Sequence, residues 1–207
     1  MPPICAILIK KKYSTSEDYK SFIKSIINPK HHIGWYIFVI GVAFTLLFIP
    51  TLVGAGSLEH PLYLAILAFP KMIFGGGLEE VGWRGFLLPA LKKKFSLITS
   101  TVIVSSIWAC WHIPLWFISG TSQSSTNFIL FFIELVSASL ILSAIYNATG
   151  SILLCIIYHA IWNSFYEVFV INYNLISFCL VLLFSIVVFL VLGKRTARKL
   201  NQNTQYE

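Results

Sequence analysis

Residues Leu175–Leu192 read LISFCLVLLFSIVVFLVL, eighteen positions without one charged side chain. A run of that length fits a helix crossing the hydrocarbon core of a bilayer, about 30 Å thick and spanned by about 20 residues at 1.5 Å each. The same pattern recurs upstream over Trp35–Val53, Leu97–Ile118, Phe128–Tyr146 and Ser151–Val170. Pro61–Leu91 is longer and carries Pro70 and the triplet Gly75-Gly76-Gly77. It is too long for one straight crossing, so a bent or broken helix is expected there. Composition agrees: 57% of residues are hydrophobic and 11% charged, against about 25% charged in a soluble domain. The expectation is an all-α, polytopic transmembrane helical bundle of about six spans.

The net charge of +7 raises nucleic acid as a partner, but its distribution argues against that. All Lys and Arg except Lys71 and Arg84 fall in three clusters flanking apolar runs. The clusters are Lys10–Lys30, Lys92–Lys94 and Lys194–Lys199. The predicted outer loops Gly54–His60, Ser119–Asn127 and Ile171–Asn174 contain neither residue type. Basic residues mark cytoplasmic loops, so both termini are expected in the cytoplasm of a multi-pass protein of the cell membrane, with lipids as partners and no nucleic acid. The domain expectation is a basic N-terminal segment over 1–32, a transmembrane domain over 33–193 and a basic tail over 194–207. Met1–Ile9 is too short for a signal-peptide core and its charges follow it, so no cleaved signal is expected. In the N-terminal segment, Tyr19, Phe22, Ile23, Ile26 and Ile27 share a helical face suited to a surface helix. Cys5, Cys110, Cys155 and Cys179 form no C-x-x-C pair and read as small buried hydrophobes.

Against this apolar background, three polar constellations stand out: Glu79-Glu80-Val81-Gly82-Trp83-Arg84, Trp108-Ala109-Cys110-Trp111-His112 and His159-Ala160-Ile161-Trp162-Asn163. Each ionisable group at the centre of a membrane helix costs about 2.5–3.5 kcal/mol on insertion scales, so such groups mark function. Glu80 and Arg84 are four apart and stack on one helical face, where they neutralise each other. Glu79 is rotated by about 100° and is left over, a candidate general base in a low-dielectric site. His112 shares a face with Trp108, and His159 with Asn163. A histidine can position water, take a proton or ligate a metal. An asparagine amide suits a developing oxyanion. Lys71, Glu134 and Glu167 also fall in predicted spans, the two acids as structural or accessory groups.

These motifs resemble the CAAX prenyl endopeptidase and bacteriocin-processing family of intramembrane proteases, also called Abi, whose pattern is E-E-x-x-x-R, then F-x-x-x-H, then H-x-x-x-N or a similar small polar residue. The neighbouring Gly85-Phe86-Leu87-Leu88-Pro89 and Thr149-Gly150-Ser151-Ile152 are similar too, and the likeness covers about residues 60–170. Trp108 stands where the family usually has Phe, which implies retained packing and a reshaped pocket. The resemblance, closest to type II CAAX prenyl endopeptidases, implies an endopeptidase acting on a membrane-associated, lipid-modified or prenylated peptide. It implies Glu79 and His112 as activators of water, His159 and Asn163 as stabilisers of the oxyanion, and Glu80, Arg84 and Trp108 as supports. Glu79, His112 and His159 would also make a ligand set for zinc with a position open for water. A metal-free glutamate base uses the same residues, and the sequence has no H-E-x-x-H helix, which leans toward the metal-independent mechanism.

Two other classes compete. A non-catalytic bacteriocin self-immunity or membrane binding protein on the same scaffold would tolerate Glu79→Gln. A small transporter would use the acids and histidines as a proton relay, although the chain has no internal repeat of the kind common in transporters.

Overall fold

In a computed structural model, which describes residues 2–203, the chain forms helices α1 (Pro2–Tyr13), α2 (Ser16–Ile27), α3 (Ile33–Leu52), α4 (Tyr63–Gly75), α5 (Glu80–Gly82), α6 (Leu88–Lys92), α7 (Leu97–His112), α8 (Phe128–Thr149), α9 (Ile152–Phe165) and α10 (Leu175–Asn203). Two short strands, β1 (Gly56–Leu58) and β2 (Phe169–Ile171), pair antiparallel with Gly56 opposite Ile171 and Leu58 opposite Phe169. Of the tail expected over 194–207, residues 204–207 and the side chains of Arg198 and Lys199 lie outside the described residues, as does Met1.

The start signals are local. Thr15, Ser96 and Ser151 each accept a hydrogen bond from the backbone N–H three residues on, and Asn127 accepts from Ile129 and Leu130. Each caps otherwise unpaired amides at a helix start.

Helices α3, α7 with its 3-10 extension to Phe117, α8 and α10 are long and apolar enough to cross a membrane. The chain is an integral membrane protein built as an α-helical bundle. Helix α8 is its centre: 61% of its apolar window is buried, against 28–33% for the other three. It packs on α7, α9 and α10. Its inner positions Ser137, Ser139 and Ser143 are small and buried, which lets neighbouring backbones approach in the absence of a hydrophobic driving force between helices. Ile37, Ile66, Ile107 and Leu190 turn outward, as expected where the solvent is lipid.

The other two expected crossings are not continuous. The acidic segment breaks at Gly76 (φ −174°, ψ −45°), passes through a 3-10 turn at Gly77–Glu79 and the single turn α5, then a π turn at Trp83–Leu87 before α6. The glycine triplet thus marks the break, and the π turn, a feature frequent at functional sites, carries the arginine. Helix α9 is 14 residues long and stops at Phe165. Of the residues expected to finish that span, Val168 lies in a turn and Phe169 and Val170 enter the β1–β2 ribbon, because a short apolar run has no period that distinguishes helix from strand.

The N-terminal helices pack onto the back of the acidic segment. Ala6 and Phe22 are buried with Val81, Ile152 and Ile156, and Tyr19, Ile23 and Ile26 pack around them. Ile27, expected on that face, is exposed. Gly82 leaves room for this contact, since a Cβ there would lie 2.6 Å from Pro2 Cβ. The cysteine expectation needs correction: only Cys155 is buried, and Cys5, Cys110 and Cys179 are exposed free thiols. Cys110 and Cys179 sit on outward faces of apolar helices, where burial is by lipid rather than protein.

Candidate active site

Glu80 and Arg84 meet as their spacing predicts. Arg84 Nη1 lies 3.0 Å from Glu80 Oε1 and 2.9 Å from Oε2, with both side chains fully buried. Arg84 Nη2 donates to Ser139 Oγ of α8 at 2.9 Å, and Glu80 Oε1 also accepts from His159 Nδ1 of α9 at 2.9 Å. The guanidinium lies over the Trp108 ring, 5.1 Å from its centroid. One carboxylate therefore ties three segments together. A buried pair of this kind contributes little net stability over an apolar isostere, but it leaves each partner dependent on the other.

Glu79 faces the other way. Its Oε2 accepts the indole N–H of Trp83 at 3.1 Å and of Trp108 at 2.9 Å. His112, on the same helix as Trp108, places Nδ1 2.8 Å from the Trp108 carbonyl oxygen. A carbonyl can only accept, so Nδ1 carries the proton. Nδ1 of His159 meets the Glu80 carboxyl, and its Nε2 is directed to Gly76. A Cβ on Gly76 would lie 2.9 Å from that nitrogen and collide with Asn163 Nδ2. The break in the acidic segment thus lets backbone pass close against α9.

Glu79, Trp108, His112, His159 and Asn163 all border one cavity of about 870 Å³. Glu134 and Glu167 line it as well. Glu134 is hydrogen-bonded by the hydroxyls of Tyr166 and Tyr173, and Glu167 pairs with Lys71 at 3.3 Å. Trp108 is the hub. It is buried, holds Glu79, lies under Arg84, and meets the rings of His159 at 5.2 Å and His112 at 6.0 Å, both near edge-on.

Sequence reasoning assigned no site role to Trp83, to Ser139 or to Gly76, the last noted only within the glycine triplet. Trp83 lies four residues from Glu79, the helical spacing that could have found it. Ser139 had no signal, because its partner is 55 residues away. Among the described residues, no group of three or more His, Cys, Asp and Glu side chains is arranged to hold a metal.

A buried acid–arginine lock thus lies beside a second glutamate and two histidines that border one cavity inside a membrane bundle. The model of the type II CAAX prenyl endopeptidase Rce1-like family matches residues 60–165, just over half of the chain, and the chain belongs to that family. A curated relative, CAAX prenyl protease 2 of Methanococcus maripaludis, is 27% identical over 99 residues. That match covers 44% of this chain and 36% of the relative, so the chain aligns with little more than a third of that protein's length.

Proposed function

We propose that the chain is an endopeptidase that hydrolyses a peptide bond of a membrane-associated or lipid-modified protein or peptide inside the cell membrane. One observation carries this reading: Glu79, His112, His159 and Asn163, from three separate segments, border a single cavity. A water held between the Glu79 carboxylate and His112 Nε2 attacks the scissile carbonyl carbon as Glu79 takes its proton. The oxyanion accepts from the Asn163 amide, and from His159 Nε2 when both nitrogens of that ring are protonated. Collapse of the tetrahedral species breaks the C–N bond, and the proton held by Glu79 passes to the departing amine. Glu80 and Arg84 hold His159 and the segment carrying Glu79 in place. Family membership supports the reaction class and makes a prenylated C-terminal peptide the first substrate to try.

The test uses purified protein in lipid nanodiscs with quenched fluorescent membrane peptides, prenylated and not. Cleavage by wild type, lost in Glu79→Gln and His112→Ala and kept with chelator, is the expected result. Cleavage that survives Glu79→Gln in the folded protein would sink the reading and favour a binding or immunity role. Loss with chelator and recovery with zinc would replace the metal-free mechanism.

A further inference from the structure

Among the described residues, three carboxylates border the cavity, those of Glu79, Glu134 and Glu167, and no lysine or arginine does. Glu79 is held by two indoles and is the proposed base. Glu167 is neutralised by Lys71 at 3.3 Å. Glu134, on α8, has neither use. Its Oε1 accepts from the hydroxyl of Tyr166 and, at 3.4 Å, from that of Tyr173, and the two hydroxyls meet at 3.2 Å. Its Oε2 takes no hydrogen bond among the described residues and is not sealed off by protein. Two neutral donors thus fix one oxygen, and the other is left to accept in the cavity. An acid inside a membrane bundle with no cation beside it is costly until something meets it.

The walls around Glu134 suit a cation. Trp162 meets Tyr166 edge-on at 5.8 Å, and Tyr173 stacks on Phe178 at 4.4 Å. All four rings border the cavity. Aromatic faces attract ammonium and guanidinium groups and pack against their alkyl stems. A free carboxylate oxygen beside such rings completes a seat for lysine or arginine. Arginine fits it better, because its planar fork both stacks and donates.

The seat is close to the reacting groups. Tyr166 continues the helical backbone of α9 (φ −65°, ψ −15°) three residues after Asn163, an advance of about 4.5 Å along the axis. An extended peptide covers that distance in one or two residues, at about 3.3–3.6 Å each.

We infer that Glu134 is a specificity-determining residue whose carboxylate pairs with a lysine or arginine side chain of the substrate, within about three residues of the scissile bond. The cation seat stands on the geometry; its link to a scissile bond rests on the endopeptidase reading.

The experiment separates the two. A set of fluorescent single-span peptides differs at one position only, which carries arginine, norleucine or glutamate and is stepped along the peptide. Binding is read first, by anisotropy in nanodiscs, with the Glu79→Gln protein. At one or two steps the arginine peptide is expected to bind about 10-fold more tightly than the norleucine peptide, and the glutamate peptide more weakly than either. Glu134→Gln, added in the same background, can still accept from the tyrosine hydroxyls through its amide oxygen and should abolish the preference. Glu134→Asp keeps the charge and should keep most of it. Thermal unfolding checks that each variant is folded. Equal binding of the arginine and norleucine peptides at every step, binding of neither, or a preference that survives Glu134→Gln overturns the proposal. Cleavage of the same peptides is then followed with Glu79 intact, where the preference should appear in KM rather than kcat. Cleavage without an arginine preference removes the seat and leaves the endopeptidase reading. Arginine binding that depends on Glu134, with no peptide cleaved, removes the endopeptidase reading and leaves the seat.

Discussion

Trp108 donates its indole N–H to the Glu79 carboxylate at 2.9 Å, across 29 residues of sequence. The family pattern usually has phenylalanine at this position, which fills the space but has no N–H. The chain has therefore added a donor to the carboxylate proposed as its base. Trp108→Phe keeps the ring against Arg84 and the histidines and removes that one bond. The expected result is a loss of about 10-fold in kcat/KM with KM little changed, equivalent to ~1.4 kcal/mol of lost positioning. Steady-state kinetics on a cleavable membrane peptide reads it.

Glu79→Gln preserves shape and can still accept from both indoles through its amide oxygen. It removes the group that takes the proton. Cleavage should fall by about 10²–10⁴-fold, the range for loss of a general base, while thermal unfolding in nanodiscs stays close to wild type. A comparable loss of stability would assign Glu79 a structural role instead.

Arg84→Met leaves Glu80 buried with only His159 to meet it. Breaking one side of a buried pair costs about 3–5 kcal/mol. The double variant Glu80→Gln with Arg84→Met removes both charges and should recover much of the unfolding temperature without recovering cleavage. A double variant as unstable as Arg84→Met would show that the arginine acts through Ser139 and packing rather than through the ion pair.

Gly76→Ala introduces a Cβ into the space between His159 Nε2 and Asn163 Nδ2. The expected outcome is cleavage reduced by about 100-fold or more, as small displacements of positioning groups do. Asn163→Gly made together with Gly76→Ala relieves the closer of the two contacts but removes the amide donor, so it should restore part of the stability and not activity.

Much of this arrangement can be read locally. The uninterrupted apolar run of α10 and the longer span of α8 announce themselves, because in lipid a helix must satisfy its own backbone. The four-residue spacing of Glu80 and Arg84 forecasts their pairing, and the 100° step to Glu79 forecasts that the adjacent acid faces elsewhere. The glycine triplet forecasts a break but not its form, a 3-10 turn followed by a π turn. What stayed hidden depends on distant partners. Ser139 is one of several serines on α8, and nothing local distinguishes the one that meets Arg84. The end of α9 is not legible locally, because Phe169 and Val170 are as apolar as a helix and only pairing with β1 makes them a strand.

Gly82 admits Pro2 so closely that the earliest helix forms the rear support of the segment holding both glutamates. That has a practical corollary for anyone producing the protein. A purification handle fused ahead of Pro2 would press directly on this support, whereas α10 packs on α8 and α3. A preparation that is folded but inert should have its handle moved to the other end before its chemistry is doubted.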